Sequence, residues 1–356
     1  MTKYVPVELP GLVGDEPLGF LAAIGLINQL SEVAYLSWSP ESHWAIVHCD
    51  ASRYSGIDDL VSALLRRLDK VKPGWAIPYE TDFPLRRRSG GPDPLRMRPD
   101  EFRARTMNRY KGGLSWLKAA LTDEATDADG YCAVTPYIAV RGRQTIGSFW
   151  YYPMLEVRKE PRRLLTEALT GWRRVEGADG WLLDPHASYS TYPEVRGPAG
   201  SMAVPGATWL ATLAVGEFPF QSRSSRAVQP IRPTRPILWH HLDGQDVLMW
   251  PLWTLPARGN TLHAVWNVGW RSGAWELQRL PDETLEVRIR PTHGVAAPDN
   301  IDRTVDLGIF TMCAATRPHN GQMPAPLTPV PIQTRRDLPE KYGDYPAWSG
   351  SQRSSF

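Results

Sequence analysis

The sequence predicts an α+β protein of two related lobes, each with a buried small-residue helix packed on short mixed or antiparallel strands. Three observations predict it. Two segments, "GDEPLGFLAAIGLINQL" (14–30) and "PGATWLATLAVGEFPF" (205–220), are apolar or small on nearly every face, as in a helix buried all round. Strand-like runs recur in pairs across short turns. The 33 Pro among 356 residues are roughly twice the usual ~5% share, which forces loop and edge positions. The boundaries expected are a lobe over 1–200 with a basic loop at 84–113, a lobe over 201–317, and a Pro-rich, extended, partly disordered tail over 318–356.

Composition allows a sizeable core, with 42% apolar and 22% charged residues. Net charge is +2, so the global balance demands no polyanionic partner. The 15 Trp read as core packing. Cys49, Cys132 and Cys313 lie far apart, without a C-x-x-C, and read as reduced, buried thiols of a cytoplasmic protein. The start "MTKYVPVELP" lacks a basic segment followed by an apolar run, so no signal peptide is expected. The apolar part of 14–30 is about a dozen residues long, short of the ~20 that span a bilayer.

In the first lobe, Asp15 is the expected N-cap of a helix, with Glu16 at its positive end and Pro17 in its first turn. Gly19, Ala22, Ala23 and Gly25 let neighbouring backbones approach closely. Residues 33–38 and 43–49 read as strands joined by Ser-Pro-Glu-Ser, and 56–68 as an amphipathic helix with Asp58 and Asp59 in its first turn. The stretch 84–113 holds eight Arg and one Lys against three acids. Its first part is loop. A helix starts at Pro99, runs to the Gly112–Gly113 pair and resumes over 114–121. "DEATDADG" reads as an acidic surface loop. Residues 131–152 read as a strand, a basic turn, then helix or strand, and 160–172 as a helix. In the second lobe, 205–220 is a helix, followed by a basic Pro-rich loop at 221–236. "ILWHHL", "VLMWPLW", "WELQRL" and "TLEVRIR" read as strands, and 300–317 as a closing helix. "FLAAIGL" (20–26) and "WLATLAV" (209–215) match in type position by position. That echo suggests either two related halves or two helices with the same packing needs.

Catalytic signatures are sparse. The sequence has no P-loop, no G-x-G-x-x-G after a strand, no G-x-S-x-G and no H-E-x-x-H. "HHLDGQD" supplies His240, His241, Asp243 and Asp246. These could serve a hydrolytic metal, or mark only a strand end and an Asp-Gly turn. No metal and no cofactor is expected. The basic loops offer phosphate contacts: Arg86, Arg87, Arg88, Arg96, Arg98, Arg103, Arg105, Arg109 and Lys111 in the first, Arg141, Arg143 and Gln144 at a tight turn, and Arg223, Arg226, Arg232 and Arg235 in the second. Arg outnumbers Lys, which suits bidentate phosphate recognition. The alternative is a solubilising surface or one that meets an acidic protein.

Five fragments in one order carry a resemblance. "PLGFLAAIGLINQL", "GRQTIGSFWYYPMLE…LLTEALTGW", "WLLDPHASYSTY", "PGATWLATLAVGEFPF" and "VLMWPLWTLPARGNTLHAV" resemble segments of the CRISPR-associated large-subunit-like proteins of type I-U, also called I-G, systems. The order extends over roughly 12–317. The chain departs from the pattern after Asp184–Pro185, where basic residues are missing, and after "LGIF", where an Arg-rich ending is reduced to Arg317. The resemblance implies a non-catalytic subunit of a crRNA-guided effector complex. Such a subunit binds crRNA or target DNA, contacts other effector subunits, reads the protospacer-adjacent motif and recruits a helicase–nuclease, with no membrane contact. In such complexes base pairing reads the sequence, while protein reads backbone, shape and motif. The readings from another class are a metal-dependent nuclease or phosphoesterase built on the His240–Asp246 cluster, and a structural adaptor without nucleic-acid contact.

Overall fold

The computed structural model describes residues 4–30, 34–71, 78, 96–106, 113–139, 146–186, 202–220, 235–259, 261–262, 265–266, 275–289, 308–317, 319–320 and 323–336. It is a mixed α+β structure. The first sheet is antiparallel, in the order β1 (Tyr4–Val13), β3 (Trp44–Asp50), β2 (Ala34–Trp38). The strand β1 has no counterpart in the sequence reading. Its Pro6 and Pro10 suggest loop, yet both are tolerated because β1 lies at the edge of its sheet.

Between β1 and β2 runs α1 (Pro17–Gln29), of which every residue but Asn28 is buried. Its N-cap is Glu16 rather than Asp15, and no side chain caps it. The Asp15 carboxylate instead meets His43 Nδ1 at 3.1 Å. Next comes α2 (Ile57–Lys70), with Leu60, Val61, Leu64 and Leu68 buried on one face. Then follow α3 (Pro99–Thr106) and α4 (Gly113–Ala120), as expected on either side of 107–112. The expected acidic loop after them is ordered. It forms a hairpin of β4 (Leu121–Thr126) and β5 (Cys132–Val134). Beyond it lie α5 (Ile146–Val157), α6 (Pro161–Thr170), the short pair β6 (Val175–Glu176) and β7 (Met202–Ala203), and α7 (Pro205–Ala214), which ends in a 3-10 turn.

The second half adds β8 (Trp239–Leu242) and β9 (Gln245–Trp253), then β10 (Trp275–Arg279), β11 (Leu285–Ile289) and β12 (Ile309–Thr316). It continues with β13 (His319–Asn320), β14 (Met323–Pro324), β15 (Thr328–Val330) and β16 (Ile332–Arg336). Two expectations are corrected here. The end of the expected closing helix is the strand β12, an inner strand between β9 and β15. Its β-branched and aromatic residues suit a strand, but burial from Met312 to Ala315 hides the period-two alternation. The described part of the expected tail is also paired. In it, β15 runs antiparallel to β12, and β16 runs parallel to β11. The remainder, 337–356, lies outside the described residues.

The two small-residue helices are not each at the centre of a lobe of its own. They pack directly on one another, with Gly25 of α1 against the Leu210 carbonyl of α7. One continuous apolar core extends from Val7 to Leu327 and crosses the expected boundary near residue 200. Phe20 is its aromatic centre. Its ring stacks on Trp250 at 5.4 Å and on Trp38 at 6.0 Å, and Trp266 meets it edge-on at 6.0 Å. The indoles of Trp250 and Trp253 donate to the Gly14 and Leu36 carbonyls at 2.7 and 2.9 Å, which satisfies their polar edge inside the core. The reading of Trp as core packing holds for Trp38, Trp116, Trp150, Trp209, Trp250, Trp253 and Trp266, all buried. The three Cys are buried and unbridged, and burial pushes the Cys49 thiol up to about 12. Among the described residues no helix is long and apolar enough to cross a membrane.

Candidate nucleic-acid interface

Of the arginines expected to meet phosphate, Arg96, Arg98, Arg103 and Arg105 come together on α3 and the segment leading into it. Pro99 opens α3, and the Cys132 amide donates to the Met97 carbonyl at 2.8 Å, which ties the lead-in alongside β5. The β4–β5 hairpin is thereby set beside the arginines. Asp127 builds its turn, with Oδ1 accepting the amides of Asp129 and Tyr131, both at 3.0 Å.

Each of three arginines in this group meets a carboxylate. Arg96 Nη2 donates to Asp127 Oδ2 at 2.7 Å and to Asp129 Oδ2 at 2.8 Å. Its guanidinium lies 4.4 Å from the centre of the Tyr131 ring, and that of Arg98 lies 5.2 Å from it. Arg103 pairs with Asp123, and Arg105 with Glu101 one turn back at 2.8 Å. The hydrogen bond to Asp127 raises the Arg96 pKa. Desolvation pushes the Asp127 carboxyl up, but the Tyr131 amide and Arg96 outweigh it, and the net shift is downward. The charged side chains are exposed, apart from the half-buried Asp123, so the pairs are screened and readily exchanged. The sequence reading found the arginines and missed their partners. The Asp-Gly before Tyr131 is the hairpin signal that brings the acids back towards them.

Arg235 belongs to a different element. Its Nη2 lies 3.0 Å from Asp246 Oδ1, at the β8–β9 hairpin. Arg86, Arg87, Arg88, Arg109, Lys111, Arg141, Arg143, Gln144, Arg223, Arg226 and Arg232 lie outside the described residues.

The His240–Asp246 cluster is that same hairpin. Leu242 pairs with Gln245 across a two-residue turn, Asp243–Gly244, both with positive φ (50° and 79°). This is the mirror-image turn that Asp-Gly favours. Asp246 takes Arg235 and His241 Nδ1, the latter at 3.0 Å, whereas Asp243 takes Arg279 at 3.3 Å. His240 is half-buried, and desolvation pushes its pKa down to about 4. The four side chains therefore do not converge, and no group of three or more His, Cys, Asp or Glu among the described residues could hold a metal.

The segment Trp181–His186 is pinned in place. Asp184 is fully buried and accepts both arms of Arg174 at 3.0 Å. Arg317 donates to the carbonyls of Pro136, Tyr137, Leu182 and Ala325 at 3.0–3.2 Å. That cation closes three chain segments against one another. Compared with known proteins, the chain matches no family model and no curated sequence.

Proposed function

We propose that the chain is a non-catalytic subunit of a CRISPR type I effector complex, of the I-U or I-G kind, that binds the backbone of crRNA or target DNA. Contact with the protospacer-adjacent motif, with other effector subunits and with a helicase–nuclease belongs to the same reading, as does a cytoplasmic location. The observation that carries it is the arginine density of 84–113, whose described part presents Arg96, Arg98, Arg103 and Arg105, with Arg96 and Arg98 over the half-buried ring of Tyr131. Guanidinium groups next to an aromatic face suit a strand that offers phosphates and stackable bases. A further support is that four of the five resembling segments supply α1, α5, α7 and β9, which pack into one core.

The test is binding of labelled single-stranded RNA and DNA across a salt series, in the assembled complex. Wild type should bind, with log affinity falling linearly in log salt. Replacing Arg86, Arg87 and Arg88 by Ala should weaken binding across sequences and flatten the slope by about 2–3 units. Unchanged affinity and slope would remove that loop as a phosphate contact. The adaptor reading is favoured by the pairing of Arg96, Arg103 and Arg105 with acids. It requires that no nucleic acid crosslink to this subunit in the purified complex.

A further inference from the structure

A cleft of about 410 Å³ opens between α5 and the turn that follows β6. It is lined by Ser148, Tyr152, Pro153, Glu156, Gly177, Asp179 and Trp181. Ser148, Tyr152 and Glu156 are four residues apart and form one face of α5. The opposite wall comes from 177–181. We propose that this cleft is a binding site for a guanidinium group, the arginine side chain of another protein chain.

The lining has the two features that such a group needs. The first is aromatic surface. Tyr152 is 44% exposed, one of four large apolar side chains exposed among the described residues. Its ring centre lies 6.2 Å from that of Trp181, which is itself held edge-on by Phe149 at 5.9 Å. The second is negative charge, from Glu156 on one wall and Asp179 on the other. Among the described residues that line the cleft, none is cationic. The nearest in sequence, Arg158, is turned away and donates to the carbonyls of Leu68 and Val71 at 2.9 and 2.6 Å. Lys159 reaches Glu156 at 2.6 Å from a position 68% exposed, an exposed pair of small worth that a better-placed cation replaces. A planar guanidinium can lie flat on an aromatic ring while its fork bonds a carboxylate, which an ammonium cannot do.

The wall is preorganised. Trp181 and Leu182 both adopt positive φ (53° and 57°), an uncommon conformation for bulky residues. The Leu182 carbonyl accepts Arg317 Nη1 at 3.0 Å and the Leu327 amide at 2.9 Å, and these bonds hold the corner. Asp179 Oδ1 accepts the Trp181 amide at 2.7 Å, which fixes the carboxylate beside the indole. Rigid walls lower the ordering cost of binding. This site is independent of the nucleic-acid reading.

The probe is a short neutral peptide with one central arginine, compared with the same peptide carrying the uncharged isostere citrulline. Both are titrated into the full chain while the indole N–H resonance of Trp181, assigned by Trp181→Phe, is followed. The arginine peptide should bind saturably in the millimolar range, and the citrulline peptide roughly tenfold more weakly. Glu156→Gln with Asp179→Asn, which keeps the acceptor for the Trp181 amide, should cost the arginine peptide about tenfold. Tyr152→Ala, at an exposed position that the fold tolerates, should cost about threefold or more. Equal binding of the two peptides, no saturable response, or affinity unchanged in both variants overturns the proposal.

Discussion

Gly25 of α1 lies so close to the main-chain carbonyl of Leu210 in α7 that a β-carbon there would overlap the oxygen. The obstacle is backbone, and it lies inside a helix that is itself fully packed. Helix propensity favours Ala over Gly by about 1 kcal/mol, so an exposed site would gain from the change. At this crossing the overlap can be relieved only by moving two buried helices apart. Gly25→Ala should therefore lower stability by about 2 kcal/mol or more, on the scale of overpacked cores. Urea unfolding checks it, and a variant as stable as wild type would mean that α1 and α7 do not meet at this point.

That crossing also shows what the sequence could reveal. The small residues of 20–26 and 209–215 are legible as a request for close approach, and both helices follow from Pro at their starts and apolar residues on all faces. What one sequence does not encode locally is which surface answers the request. The echo suggested two centres, whereas the helices answer each other. The same limit explains the strands. The turn at Asp243–Gly244 and the alternation in β10 and β11 are local signals, and those hairpins form as expected. By contrast, β1, β12 and β16 depend on partners far along the chain, and Pro in β1 and β15 and the burial of Met312–Ala315 in β12 hide the period of two. The interface follows the same rule. Charge density marks Arg96 and Arg103, but their partners Asp127 and Asp123 arrive by a hairpin closed 20–31 residues later.

His240 gives a pH dependence of fixed sign. It is half-buried on β8 beside Arg235. Burial first, and that guanidinium second, push its pKa down to about 4. In the unfolded chain a His takes up its proton near 6.5. Between the two values the unfolded state binds more protons, so stability is fully present above about pH 6.5 and declines as the pH falls towards 4. The contribution is on the order of 3 kcal/mol. His48, whose pKa burial also lowers, acts in the same direction. Thermal unfolding of His240→Gln should show a shallower loss than wild type across that window, whatever the variant's stability at neutral pH. Parallel profiles for the two proteins would show that His240 is not the group responsible.

Asp127 and Asp129 occupy the guanidinium face of Arg96 that a phosphate would take, since both supply anionic oxygens within 2.8 Å of Nη2. If the chain binds a nucleic-acid backbone here, these carboxylates compete with it. An Asn at 127 keeps the Oδ1 acceptor for the Asp129 and Tyr131 amides, so the turn survives while the charge is lost. Asp127→Asn with Asp129→Asn should therefore raise affinity for single-stranded RNA or DNA by about three- to tenfold at low salt, as expected for releasing Arg96 from two exposed ion pairs. It should also steepen the salt slope by about one unit, because Arg96 becomes a phosphate contact. Adding Arg96→Ala to that pair should return both quantities to wild-type values or below. Binding that is unchanged or weakened in the double variant would mean that Arg96 and the acidic hairpin serve only the fold or meet a protein partner.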